Sequence, residues 1–130
     1  MTQLQAIIGS CLKWWRIRYQ GVADYKAANC PLCKWATEQC GVCPVQREGC
    51  GGTPWSTWVK HARLTTDKND ISCFFATTLK AEEAASAELQ FLFDLIKPRY
   101  YRNVEKELNK GDYPKKFRAW MLRAIAKKEA

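Results

Sequence analysis

The sequence predicts an all-α fold of about five helices, with a cysteine-rich loop between helix 1 and helix 2. Three observations carry that expectation. Apolar residues recur at three- and four-residue steps through most of the chain, the spacing that lines one face of a helix. No stretch alternates apolar and polar residues for long enough to make a useful strand. Five of the seven cysteines fall between Cys30 and Cys50, in a segment dense in Gly and Pro. A length of 130 residues and an apolar content of 47% suit a single domain over 1–130 with a core of its own.

The elements follow in order. Leu4, Ile7, Ile8, Cys11, Leu12, Trp15 and Tyr19 form one stripe of a helix over 2–20. Thr2 suits its N-cap and Gly21 its C-terminal stop. Lys13, Trp14 and Arg16 fall off the stripe, so Trp14 is expected on the outside, where it would pack on a second lobe or anchor a partner. Residues 24–52 read as loop, punctuated by Asn29, Pro31, Gly41, Pro44, Gly49, Gly51 and Gly52. So long a loop without core needs another source of order. Thr53-Pro54 reads as N-cap and first helical residue. Trp55, Trp58, Val59 and Ala62 then stripe a short helix over 54–64. Thr65 to Asn69 is a polar turn. Asp70 can cap one long helix striped by Ile71, Phe74, Phe75, Thr78, Leu79, Leu89, Leu92, Phe93 and Ile96. Pro98 can start another, with Tyr100 or Tyr101, Val104 and Leu108 inward and Gly111 as its stop. Phe117, Trp120, Met121, Ala124 and Ile125 stripe a last helix to about residue 128. The basic C-terminal helices thus span 98–128.

The order missing from 24–52 is expected from a metal ion. Cys30-Pro31-Leu32-Cys33 and Cys40-Gly41-Val42-Cys43 are two CxxC pairs, and Cys50 is a fifth thiol. CxxC presents two sulfurs to one tetrahedral ion, and its backbone amides point at the sulfurs and offset their charge. Four of Cys30, Cys33, Cys40, Cys43 and Cys50 would fill a closed structural zinc site and leave one spare. Cys30 and Cys33 are the firmest pair; Cys43 with Cys40, or Cys43 with Cys50, would complete it. An iron–sulfur cluster is the alternative, since it also takes four cysteines, although the spacing is not that of a ferredoxin. Disulfides are a third option, disfavoured by an odd cysteine count and CxxC spacing. Cys11 and Cys73 lie on apolar stripes and read as core.

Little else in the chain points to catalysis. His61 is the lone histidine, and it reads as a helix-face residue rather than a ligand or the partner of a reactive thiol. Glu82/Glu83 and Glu105/Glu107 read as solvated helix faces. Gly49-Cys50-Gly51-Gly52 lacks the strand and lysine of a phosphate loop. The chain is therefore expected not to be an enzyme and not to have a small-molecule substrate.

Charge is unevenly spread. The net +8 is concentrated at 97–130, where eleven Lys/Arg face four Asp/Glu, while residues 61–96 hold three Lys/Arg against six Asp/Glu. Such asymmetry suits a polyanion or an acidic partner. Lys13-Trp14-Trp15-Arg16-Ile17-Arg18 and Lys97-Pro98-Arg99-Tyr100-Tyr101-Arg102 mix cations with aromatic rings, the pairing that neutralises phosphates and stacks on bases. The candidate contact residues are Trp14, Arg16, Arg18, Arg99, Arg102, Lys115, Lys116, Arg118 and Arg123. No run approaches the roughly 18 apolar residues of a membrane span. The first residues put their charges after the apolar ones, the reverse of a secretory signal, so a cytoplasmic protein is expected.

The segment Asn29-Cys30-Pro31-Leu32-Cys33, Cys40-Gly41-Val42-Cys43-Pro44-Val45, Cys50-Gly51-Gly52-Thr53-Pro54-Trp55 resembles a recurring stretch in small Cys-rich bacteriophage proteins. Those read CxLC, CxxCP and CxxTPY, and continue into a later Glu-rich helix that Ala87 to Pro98 resembles. Trp55 stands where they more often have tyrosine. The resemblance covers about residues 29–98 and implies a phage origin, a metal-bound knuckle over 29–52 and a place in the host cytoplasm. It implies no activity. The expected function is that of a non-enzymatic accessory protein binding a host macromolecular complex, as a defence inhibitor or host-takeover factor does. A nucleic-acid-binding regulator using the basic ends is the alternative.

Overall fold

The computed structural model describes residues 1–38 and 53–130. Contacts divide the chain into two compact units, Met1–Leu95 and Ile96–Ala130. Both are mainly helical, with six α-helices and one small sheet among the described residues.

The first unit opens with α1, Gln3–Gln20. Thr2 closes a capping box: its Oγ1 accepts from the Gln5 N–H at 3.1 Å, and its own N–H donates to Gln5 Oε1 at 2.8 Å. Gly21 ends the helix at φ 65°, a left-handed conformation that glycine adopts without a Cβ penalty. The buried face is wider than one stripe and takes in Ala6, Ile7, Ile8, Ser10, Cys11, Trp14, Trp15 and Ile17. Trp14, expected outside, is only 3% exposed. Its ring meets Trp58 edge-on, with centroids 5.3 Å apart and planes at 90°. It is therefore no surface anchor. Tyr19, expected in the core, is exposed and lies under the Arg18 guanidinium at 4.8 Å.

The stretch read as loop is partly helical. A 3₁₀ turn spans Lys26–Asn29, and α2 runs Pro31–Glu38. Pro31, taken as a loop marker, begins the helix instead, where its fixed φ is favourable and no backbone bond is lost. The helix is tied to α1 by the Leu32 N–H, which donates to Ser10 Oγ at 3.2 Å. The rest of the cysteine segment, including Cys40, Cys43 and Cys50, lies outside the described residues.

α3 runs Pro54–His61 and is capped as expected, with Thr53 Oγ1 accepting from the Trp55 N–H at 3.2 Å. The long helix expected from Asp70 is not formed. Residues Arg63–Thr66 (β1) and Ser72–Phe75 (β2) pair antiparallel instead, with Arg63 opposite Phe75 and Thr66 opposite Ser72. Asp67 organises the turn: its Oδ1 accepts from the N–H groups of Asn69 at 2.8 Å and Ile71 at 3.0 Å. Asp70, expected as a helix cap, sits in that turn at φ 60°. The hairpin is held from outside as well. Asp24 and Phe74 exchange both backbone bonds at 2.9 Å, and Tyr25 Oη donates to Asp67 Oδ2 at 2.8 Å. That bond pushes the Tyr25 phenol up to about 12.

Only the second half of the expected helix is real. α4 spans Leu79–Phe93, with Thr78 as N-cap accepting from the Ala81 N–H at 3.1 Å. It presents Ala81, Ala84, Ala85, Leu89, Leu92 and Phe93 to the core, and the small residues let α1 and α3 approach it. Cys11 and Cys73 are fully buried, as core cysteines should be.

In the second unit, a 3₁₀ turn at Pro98–Tyr100 leads into α5, Tyr101–Lys110, which ends at Gly111. α6 follows over Lys115–Glu129. The buried residues are Tyr101, Val104 and Leu108 of α5 and Phe117, Met121, Ala124 and Ile125 of α6, matching the sequence periodicity except at Trp120, which is half-buried. No helix among the described residues is long and apolar enough to cross a membrane.

Candidate functional site

Cys30 immediately precedes α2 and Cys33 lies in its first turn. The turn folds the two thiols onto each other, and the Cys33 N–H donates to Cys30 Sγ at 3.4 Å. Neither is in a disulfide. The Cys30 thiol is pulled down to about 6, first by its hydrogen bond with Cys33, then by backbone N–H groups and the Lys13 ammonium, against the opposing pull of burial. A half-buried CxxC with an amide aimed at sulfur is the donor chemistry of a metal knuckle. Two ligands are not a site, however, and no group of three or more His, Cys, Asp or Glu able to hold an ion occurs among the described residues. Cys40, Cys43 and Cys50 would have to complete it. His61 is a half-buried helix-face residue, as expected. It lines an open groove of about 640 Å³ with Thr57, Lys80 and Glu83.

The first unit also holds a buried charge cluster that sequence reasoning missed. Asp24 is 0% exposed. Its Oδ1 meets Lys13 Nζ at 2.8 Å and accepts from the Lys26 N–H at 2.8 Å. Its Oδ2 accepts from the indole N–H of Trp55 at 3.1 Å and of Trp58 at 2.9 Å. Trp55 and Trp58 are three apart on α3, so one helical face delivers both donors. Lys13 Nζ also donates to the Lys26 carbonyl at 3.0 Å. A buried ion pair is tolerable only when its remaining hydrogen-bonding capacity is filled, and here it is.

Glu88 of α4 is buried as well and is served less well. It is 2% exposed and its Oε1 has no hydrogen-bond partner. Burial pushes its carboxyl up to about 7, opposed by the Lys13 ammonium and a hydrogen bond with Thr53, and reinforced by Cys30 and Asp24. One signal for Glu88 was legible. Ala81, Ala84, Ala85, Glu88, Leu89 and Leu92 share one helical face, so an acid sits inside a core stripe. Asp24 carried no such signal.

The predicted contact residues fall in both units. Arg16 is exposed on α1, while Arg18 is half-buried and donates from Nε to Ser86 Oγ at 2.8 Å. In the second unit, Arg99, Lys115, Lys116 and Arg123 are exposed and Arg118 is half-buried. The Arg99 guanidinium stacks over Tyr100 at 5.0 Å. Arg102 is bound to carboxylates of its own unit, Glu105 at 2.6 Å and Glu129. With it, Glu105 is ion-paired rather than simply solvated.

The fold and site define a mainly helical chain with a dithiol turn, a buried ion pair and a cationic second unit. No family model, curated protein or solved structure matches it.

Proposed function

We propose that the protein is a non-enzymatic accessory factor, phage-encoded as the Cys-rich resemblance implies, that works by binding an acidic surface of a host macromolecular complex. The observation that carries this reading is the exposure of Lys and Arg in Ile96–Ala130. Of the eleven Lys/Arg from Lys97 onward, all but Arg118 are exposed. So many exposed cations favour encounter with negative partners. The burial of Trp14 removes the one apolar anchor expected from sequence and shifts the weight of the contact to charge. In the same reading, one zinc ion closes the cysteine segment in a structural role. Cys30 and Cys33 would supply two ligands, and two of Cys40, Cys43 and Cys50 the others. The close pairing of the Cys30 and Cys33 groups supports this.

A nucleic acid is the second reading, favoured by the stacked Arg99 and Tyr100 among exposed cations. One variant separates the outcomes. Changing Lys115, Lys116, Arg118 and Arg123 to Glu is expected to abolish co-purification with a host complex. Retained co-purification refutes the basic contact surface. Binding of DNA or RNA that weakens steeply with salt, and is lost in the same variant, moves the assignment to the second reading. Metal analysis tests the zinc: about one zinc per chain is expected. A brown chain with iron favours a cluster, and a metal-free chain with Cys30 to Cys50 oxidised refutes the site.

A further inference from the structure

The turn Cys30-Pro31-Leu32-Cys33 is held to α1 by the two residues between its cysteines. The Leu32 N–H donates to Ser10 Oγ at 3.2 Å, and the Leu32 side chain is buried. Pro31 lies so close to Gly9 that a Cβ on Gly9 would stand 3.1 Å from the Pro31 Cγ. Gly9 sits inside α1, where glycine costs stability relative to alanine, and this close approach is what suits glycine to the position. The cysteines themselves are left half-buried and are not in disulfides. They are not equivalent. Cys30 lines an open pocket of about 520 Å³ with Asn29, Pro31 and Lys34, whereas Cys33 does not line it. The Cys33 N–H donates to Cys30 Sγ at 3.4 Å, so the backbone of the second cysteine reaches the sulfur of the first. Lys34 is exposed and has no ion-pair partner among the described residues.

A reactive dithiol needs one sulfur open to substrate and a second within reach of the first. We propose that Cys30 and Cys33 form a thiol–disulfide exchange pair whose substrate is a small disulfide bearing carboxylates, with Lys34 as the cation that receives one of them. The Cys30 sulfur attacks one sulfur of the substrate, forms a mixed disulfide and releases the first substrate thiol. The Cys33 sulfur then attacks Cys30 Sγ, releases the second substrate thiol and closes the Cys30–Cys33 bond. Two electrons pass from the cysteine pair to the substrate, and the two cysteine protons end on the two released thiols. The anchoring of Pro31 and Leu32 to α1 fixes the turn before the substrate arrives, so little ordering remains for the closing step. The exchange is stoichiometric and goes beyond the binding role given above. A sulfur bound to zinc cannot be in a disulfide, so the exchange belongs to the chain whose Cys30 and Cys33 carry no ion.

Incubation of the full chain with glutathione disulfide after treatment with a chelator, followed by acid quenching and mass mapping of the cysteine peptides, tests it. Wild type is expected to yield the Cys30–Cys33 disulfide, several-fold faster than the same chain in urea. Cys33→Ser is expected to stop at glutathione bonded to Cys30. Lys34→Gln, a surface change, is expected to slow the reaction with glutathione disulfide and leave that with the uncharged hydroxyethyl disulfide unmoved. A Cys33→Ser chain without the Cys30 adduct overturns the proposal. So does a wild-type chain that joins Cys30 to Cys40, Cys43 or Cys50 in place of Cys33, or one that reacts no faster than in urea. Equal slowing of both disulfides by Lys34→Gln overturns the assigned substrate class. Zinc added beforehand separates the two uses of the pair. Exchange that zinc blocks supports both, whereas exchange that zinc leaves unchanged supports this proposal and counts against Cys30 and Cys33 as zinc ligands.

Discussion

The two units handle charge in opposite ways. In Met1–Leu95, Asp24 and Lys13 are paired out of water, and both Asp24 oxygens are filled by Lys13, a backbone N–H and two indoles. In Ile96–Ala130, Arg102 pairs with Glu105 and Glu129 at the surface, where its side chain is 58% exposed. The first arrangement is costly to assemble and costly to break, because a buried ion without its partner has no water to replace it. The second is screened and replaceable. Similar ion-pair chemistry therefore serves as an architectural joint in one unit and as solvation in the other.

The sharpest way to break this contrast is to remove the central acid. Asp24→Ala leaves Lys13 unpaired and two indole N–H groups unsatisfied, and is expected to destabilise the first unit by about 3–5 kcal/mol in urea unfolding. A loss no larger than that of a surface substitution would show that the joint is not structural. Glu88 comes next, through pH. Burial raises its carboxyl from 4.5 to about 7, so the folded chain holds this proton more tightly than the unfolded one. Its contribution is at its full value below about pH 4.5 and is lost as pH rises through about 7. Wild type should lose roughly 3 kcal/mol relative to Glu88→Gln across that window. Parallel pH profiles of the two proteins would contradict the buried, poorly served carboxyl. A smaller effect is expected at the N-cap of α4, where Thr78→Ala removes the acceptor of the Ala81 N–H and should cost about 1 kcal/mol in the same unfolding assay. Least of all, Arg102→Ala should leave the unfolding midpoint unmoved, and a clear drop would place that pair with the buried one.

Much of the helical framework was legible because it is local. Thr2, Gly21, Thr53 with Pro54, and Gly111 mark helix ends where the sequence placed them. The inward residues of α5 and α6 follow the 3.6-residue period. The misreadings share one origin. Ile71, Phe74 and Phe75 fit helical spacing, yet Ser72–Phe75 is a strand, because Arg63–Thr66 pairs with one edge and Asp24 with the other. β-branched and aromatic residues in a short run fit either form until such a neighbour is present. Trp14 fell off the α1 stripe because one stripe describes a helix with one covered face, whereas α1 packs against both α2 and α4. Of the candidate metal site, the sequence marked Cys30 and Cys33 by spacing. Nothing in the sequence marked Lys13 and Asp24 as a buried pair.

By itself, then, the sequence determined where helices start and stop, which faces are apolar, and that thiols gather in one segment and cations in another. Each of these depends on residues a few positions apart, within reach of a single turn of backbone. Only the tertiary structure decided that residues 63–75 form a hairpin, that Trp14 is core, that Asp24 pairs with Lys13 out of water, and that Glu88 is buried. Those outcomes depend on partners brought from separate elements. Whether a charge is buried or solvated, and so what it costs and what it can do, is decided by the company that folding assembles around it.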